Sequence, residues 1–123
     1  MPPLKKDPKR EDRIAMEITV DANGPEEQAM GWYYYLEAKL HFPFLAKCVA
    51  DRAISPLRTG DEIEILGMAP ESECHHEMFV ETRWDRRTLA VPLAQLKPSV
   101  KTDKETQEAV ADWHYWVQMG YEF

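Results

Sequence analysis

Residues 61–92 read DEIEILGMAPESECHHEMFVETRWDRRTLAVP. Apolar side chains recur there at every second position: Ile63 and Ile65 alternate with Glu62 and Glu64, while Met78, Val80, Thr82 and Trp84 alternate with Phe79, Glu81 and Arg83. A period of two sends successive side chains to opposite faces of an extended backbone, so each run is a half-buried strand. Asp85-Arg86 marks a tight turn into a further strand, Thr88 to Val91, and Pro92 closes it because proline has no N–H for a ladder. Upstream, Phe44, Ala46 and Cys48 alternate in the same way with Leu45, Lys47 and Val49. Several short antiparallel strands within about 50 residues predict a small curled sheet or SH3-like barrel.

Outside this region the period changes to that of a helix. Asn23-Gly24-Pro25-Glu26-Glu27 is a helix start, with Pro at the first helical position and carboxylates in the first turn to complement the dipole. The spacing of Ala29, Trp32, Tyr33, Leu36 and Leu40 predicts a helix from Pro25 to about Leu40, and Phe42-Pro43 ends it. Thr102-x-x-Glu105 reads as a capping box for a second helix from about Asp103 to Met119, with Val110, Trp113 and Val117 on one face and Gly120 at the stop. Ile14 to Val20 suits a short helix. Residues 1–12, with three of the nine prolines, read as a disordered arm before a single α+β domain over residues 13–123.

Composition narrows the function. The 123 residues carry a net charge of −7, which opposes phosphate backbones and argues against nucleic acid as a partner. The longest apolar runs, such as Trp32 to Leu36, fall far short of the roughly 20 residues of a membrane span, and the polar start lacks a signal's apolar centre. Two cysteines are too few for a disulfide scaffold, so the expected setting is the cytoplasm. No G-x-S-x-G or phosphate-cradling glycine loop is present, and no enzyme is expected.

The charges are segregated. Residues 61–82 hold seven acids and no Lys or Arg, and residues 14–38 hold five more acids, again with no base; residues 83–104 hold six bases against two acids. If the strands at 62–66 and 77–81 pair directly, Glu62 stands opposite Glu81, with Glu64 and Glu77 on the same outer face and Glu71 and Glu73 in the loop above. Like charges in such positions repel by several tenths of a kcal/mol, and a bound cation would relieve them. Calcium suits this set, because it takes about 6 to 8 oxygens in flexible geometry. Asp21-Ala22-Asn23-Gly24 is no EF-hand loop, since its glycine comes too early, and Asp21, Glu26 and Glu27 read as capping and first-turn residues. Cys74, His75 and His76 offer softer donors for zinc or copper, but without C-x-x-C or H-E-x-x-H spacing. The rings of Trp32-Tyr33-Tyr34-Tyr35 point to every side of a helix, so an SH3-like protein-interaction module with an incidental acidic face is the alternative function.

Four blocks carry a family resemblance: GPEEQAMGWYYYLEAKLHFPFLAKCV (24–49), SPLRTGDEIEILGMAPESECHHEMFVETRW (55–84), RRTLAVPLAQL (86–96) and DWHYWVQMGY (112–121). Together they resemble the CcbP-type calcium-binding proteins of cyanobacteria. The resemblance implies a small acidic protein that binds Ca2+ without EF-hands and buffers or sequesters it, linked in that family to heterocyst differentiation. The family pattern places an acid after the Leu36-Glu37 pair, where this chain has Ala38. The expected ligands are Glu71, Glu73 and Glu77, in a loop able to wrap an ion, then Glu62, Glu64 and Glu81, with Asp61 or Glu37 completing a second site. Carboxylates of ordinary acidity would lose the ion below about pH 5.

Overall fold

The computed structural model describes residues 5–20 and 22–123. The first four residues of the expected arm, and Asp21, lie outside the described residues. Three α-helices, α1 (Pro8–Arg13), α2 (Pro25–Lys39) and α3 (Lys104–Gln118), surround an antiparallel sheet of five strands. The strands are β1 (Phe44–Cys48), β2 (Glu62–Met68), β3 (Phe79–Trp84), β4 (Arg87–Pro92) and β5 (Leu96–Pro98), in the order β4-β3-β2-β1-β5. No described helix is long and apolar enough to cross a membrane.

The expected alternation is present. Along β1 every second residue is buried, and Ile63, Ile65, Val80 and Thr82 all turn inward. Asp85 and Arg86 both adopt positive φ, which gives the β3–β4 turn a twist that matches its strands. β5 lies outside the expected set; it is three residues long and contains Pro98, too short for a period to show. It closes the sheet by pairing with β1, Cys48 opposite Leu96.

The helical segments differ from expectation in three respects. α3 is capped by Asp103, whose carboxylate accepts the Thr106 N–H at 3.0 Å, so Thr102 is not the cap; Glu105 turns instead to His41 Nε2 at 2.7 Å. Trp116 rather than Val117 completes the buried face, leaving Val117 41% exposed. Residues 8–12 are not a disordered arm: Pro8–Arg13 is helical, capped by Asp7, and runs into a wide π-helical turn at Ile14–Ile18. Asp7 accepts the Arg10 N–H at 3.1 Å, which holds its carboxyl below the usual range. The π turn packs on α2 at Gly31, where a Cβ would run into the Ile18 carbonyl oxygen, so glycine is required for the close approach.

The core joins these layers. Trp32 of α2 and Trp113 of α3 meet edge to face with centroids 5.0 Å apart, and Trp116 leans on Trp32 at 5.6 Å. Leu36, Leu57, Ile65, Met78, Leu93 and Leu96 fill the space between helices and sheet. Full burial of each such side chain contributes about 1.5–3 kcal/mol, so this contact fixes how α2 stands over the β2–β3 connection.

Candidate functional site

The connection between β2 and β3 is built on buried anchors. The Ala69 N–H donates to Phe79 O at 3.0 Å, the Leu93 N–H to Met78 O at 3.0 Å, and the Phe79 N–H to Cys74 Sγ at 3.4 Å. Tyr33 of α2 reaches down with its hydroxyl to Ala69 O at 2.8 Å. Burial pushes the Cys74 thiol pKa up, and the buried sulfur serves as an acceptor within this anchor. Between these anchors a 3₁₀ turn, Glu71–Glu73, carries its carboxylates outward.

Two acidic neighbourhoods flank this turn. On one side the Tyr34 hydroxyl donates to Glu71 Oε2 at 2.8 Å. That bond raises the Tyr34 pKa, slight burial adds to it, and the charges of Glu71 and Glu37 push the same way, so both carboxylates share the field around this phenol. Glu37 lies one helical turn beyond Tyr34 on α2. On the other side, Glu73 and Glu77 line an open groove opposite Glu26 and Glu27 from the first turn of α2, with His75 and His76 on its wall. Sequence reasoning assigned Glu26 and Glu27 to the helix start, and Glu27 does accept the Asn23 N–H at 3.1 Å. Their second position, facing the 71–77 loop, leaves no mark in local sequence.

The other expected ligands, Glu62, Glu64, Glu81 and Asp61, do not line this groove. The predicted pairing of Glu62 with Glu81 does not occur. Ile65 faces Thr82, where the expected register put Met78, and after a bulge Gly67 faces Glu81 and Met68 faces Val80. The cause is that β2 continues through Leu66-Gly67-Met68, which shortens the loop and moves every partner. Glu62 then stands opposite Lys47 and Glu64 opposite Leu45 on β1, so the repulsion inferred for Glu62 and Glu81 is absent. Asp61 accepts the Arg58 N–H at 2.8 Å and serves its own turn. Glu77 is ion-paired, with Arg52 Nη1 2.7 Å from its Oε2. Among the described residues, no three His, Cys, Asp or Glu side chains already converge closely enough to enclose a metal ion.

The CcbP family model, described as calcium binding, matches residues 12–117. Among solved structures the chain is similar to CcbP from Anabaena, at 41% identity over 100% of both chains with a TM-score of 0.86. It is similar also to a calcium-binding protein in its calcium-binding form, at 42% identity over 100% of both chains with a TM-score of 0.83. No curated protein matches the chain.

Proposed function

The chain belongs to the CcbP calcium-binding family, and from that premise we propose that it buffers Ca2+ through the carboxylates around the 71–77 turn. Glu71, Glu73 and Glu77 are the central ligands. Glu37 adds its charge on the Tyr34 side and Glu26 and Glu27 add theirs across the groove. The observation that carries this assignment is that α2 and the β2–β3 connection bring acids from two distant stretches of chain to the same turn. Glu62, Glu64, Glu81 and Asp61 shape the wider negative field, which concentrates divalent ions near the turn.

When bound, the ion supplies two positive charges to a region that holds none of its own in sequence. The residues supply hard oxygen donors, on a short turn anchored at Ala69, Cys74 and Phe79. Binding relieves mutual repulsion and stabilises the fold by mass action, about 2.7 kcal/mol at 100 times Kd. Two unpaired, buried thiols, Cys48 and Cys74, suit the reducing cytoplasm in which such a buffer would act.

Calorimetric titration of chelator-treated protein, paired with thermal melts, tests the reading. We expect heat of binding and a rise in melting temperature with calcium that equal magnesium does not reproduce. The Glu71→Gln/Glu73→Gln/Glu77→Gln variant should lose most of both. Absence of heat and of any thermal shift in millimolar calcium would overturn the proposal.

A further inference from the structure

Residues 61–82 contain no Lys or Arg, yet one of their acids has a cation at hand. Arg52, in the connection between β1 and β2, places Nη1 2.7 Å from Glu77 Oε2. Of the eight acids expected as ligands, Glu77 alone makes an ion pair among the described residues. The pair is half sheltered, with side-chain exposures of 35% for Arg52 and 23% for Glu77. Its contact with Glu77 raises the guanidinium's pKa. Arg52 is also held at its backbone: the Ser55 N–H donates to Arg52 O at 3.1 Å, and the adjacent Asp51 grips Thr59 through N–H at 2.7 Å and hydroxyl at 3.0 Å. The guanidinium is therefore presented to Glu77 from an anchored loop.

We propose that Arg52 is the resident counter-ion of the calcium site: in the ion-free protein it occupies an oxygen of Glu77 that calcium must share or take, and so it sets the affinity. The inference rests on the reading that Glu77 is a ligand. A carboxylate oxygen engaged at 2.7 Å by a charged N–H donor is a poorer ligand, and a fixed positive charge beside a divalent ion repels it. Arginine stays protonated at any physiological pH, so this competitor keeps its charge there and yields to calcium concentration and salt. The arrangement trades tightness for release, as a buffer requires, and it keeps a half-buried Glu77 satisfied when the site is empty.

The test measures calcium affinity by calorimetry for the wild type, Arg52→Gln, Arg52→Lys and Glu77→Gln, with a melt of each calcium-free protein. Arg52→Gln should bind about tenfold tighter at low salt, with the gain shrinking as salt screens the lost charge. Its calcium-free melting temperature should fall slightly, and its rise on adding calcium should exceed that of the wild type. Arg52→Lys keeps the charge without the planar fork and should fall between the two, which secures the test if Arg52→Gln folds poorly. In a Glu77→Gln background, Arg52→Gln should gain much less. Unchanged or weaker binding by Arg52→Gln would overturn the inference and make Arg52 a structural clasp. Failure of the parent reading looks different: there the wild type takes up no calcium, or Glu77→Gln alone binds as tightly as the wild type.

Discussion

Asp112 and Glu71 are both carboxylates on the helical side of the molecule, but their surroundings differ completely. Asp112, in the middle of α3, is wholly buried. Its oxygens receive Arg10 Nη1 at 2.7 Å, Arg13 Nη2 at 2.7 Å and Nε at 2.9 Å, and the Tyr35 hydroxyl at 2.8 Å. Bonding to Asp112 raises the Arg13 pKa, and burial followed by the same carboxylate raises that of Tyr35. Glu71 sits exposed on its turn with one neutral phenol for company and Glu37 nearby. The first carboxylate has partners within the chain and staples α1 to α2 and α3. The second makes no ion pair among the described residues, and under the proposed function its cation comes from outside. The difference lies in what the fold sets beside each carboxylate: two guanidinium groups at Asp112 and a phenol at Glu71.

The comparison can be broken most forcibly at Asp112. Asp112→Asn leaves two guanidinium groups facing a neutral amide in a dry position, and removing one partner of a buried pair costs about 3 kcal/mol or more. For a domain of this size the melting temperature should drop on the order of 10 °C, with the loss measured by thermal melts and calcium affinity little changed in the folded fraction. A fall of only a degree or two would show that α1 is not held by this cluster.

A smaller effect separates the pH response of the fold from that of the site. His114, on α3, lies against the Leu96 carbonyl with Nε2 at 2.6 Å, and burial lowers its pKa below the ordinary 6.5. The unfolded chain therefore binds a proton that the folded chain refuses, so His114 contributes stability above about pH 6.5 that is lost as the pH falls through its folded pKa. The slope reaches at most about 1.4 kcal/mol per pH unit. Calcium-free melts between pH 7 and pH 5 should show this decline, and His114→Gln should flatten it. An unaltered slope in that variant would place the pH sensitivity elsewhere.

The smallest effect is expected at the turn itself. Without calcium, the triple glutamine variant of Glu71, Glu73 and Glu77 should melt within about 0.5 kcal/mol of the wild type, since lost repulsion offsets the lost contacts to Tyr34 and Arg52. A large destabilisation in calcium-free buffer would move these acids to Asp112's side of the comparison.

Much of this was legible beforehand because the forces involved act over a few residues. Alternation in Ile63, Ile65, Met78 and Val80 identified the inner face of the sheet, and Pro25 with Glu26 and Glu27 marked the start of α2. The β2–β3 register was missed although Gly67 stands at the bulge: a lone glycine in a strand marks where the pairing can slip, but not by how many residues the partner strand shifts. The docking of α1 was hidden for another reason: Arg10 and Arg13 find Asp112 across 102 and 99 positions of chain, and nothing near residue 10 announces that partner. Glu26 and Glu27 were seen only as helix-start residues for the same cause.

By itself, then, the order of residues determined the two long helices and four of the five strands, which faces turn inward, and that negative charge gathers between positions 61 and 82; α1 and β5 escaped it. Only the tertiary structure decided which acids are neighbours, that Asp112 is neutralised by two arginines, and that Arg52 holds Glu77. Periodicity, caps and helix dipoles depend on residues within a turn or two of one another. The pairing of charges depends on distance in space, and that is set by how the tryptophan core stacks α2 and α3 against the sheet.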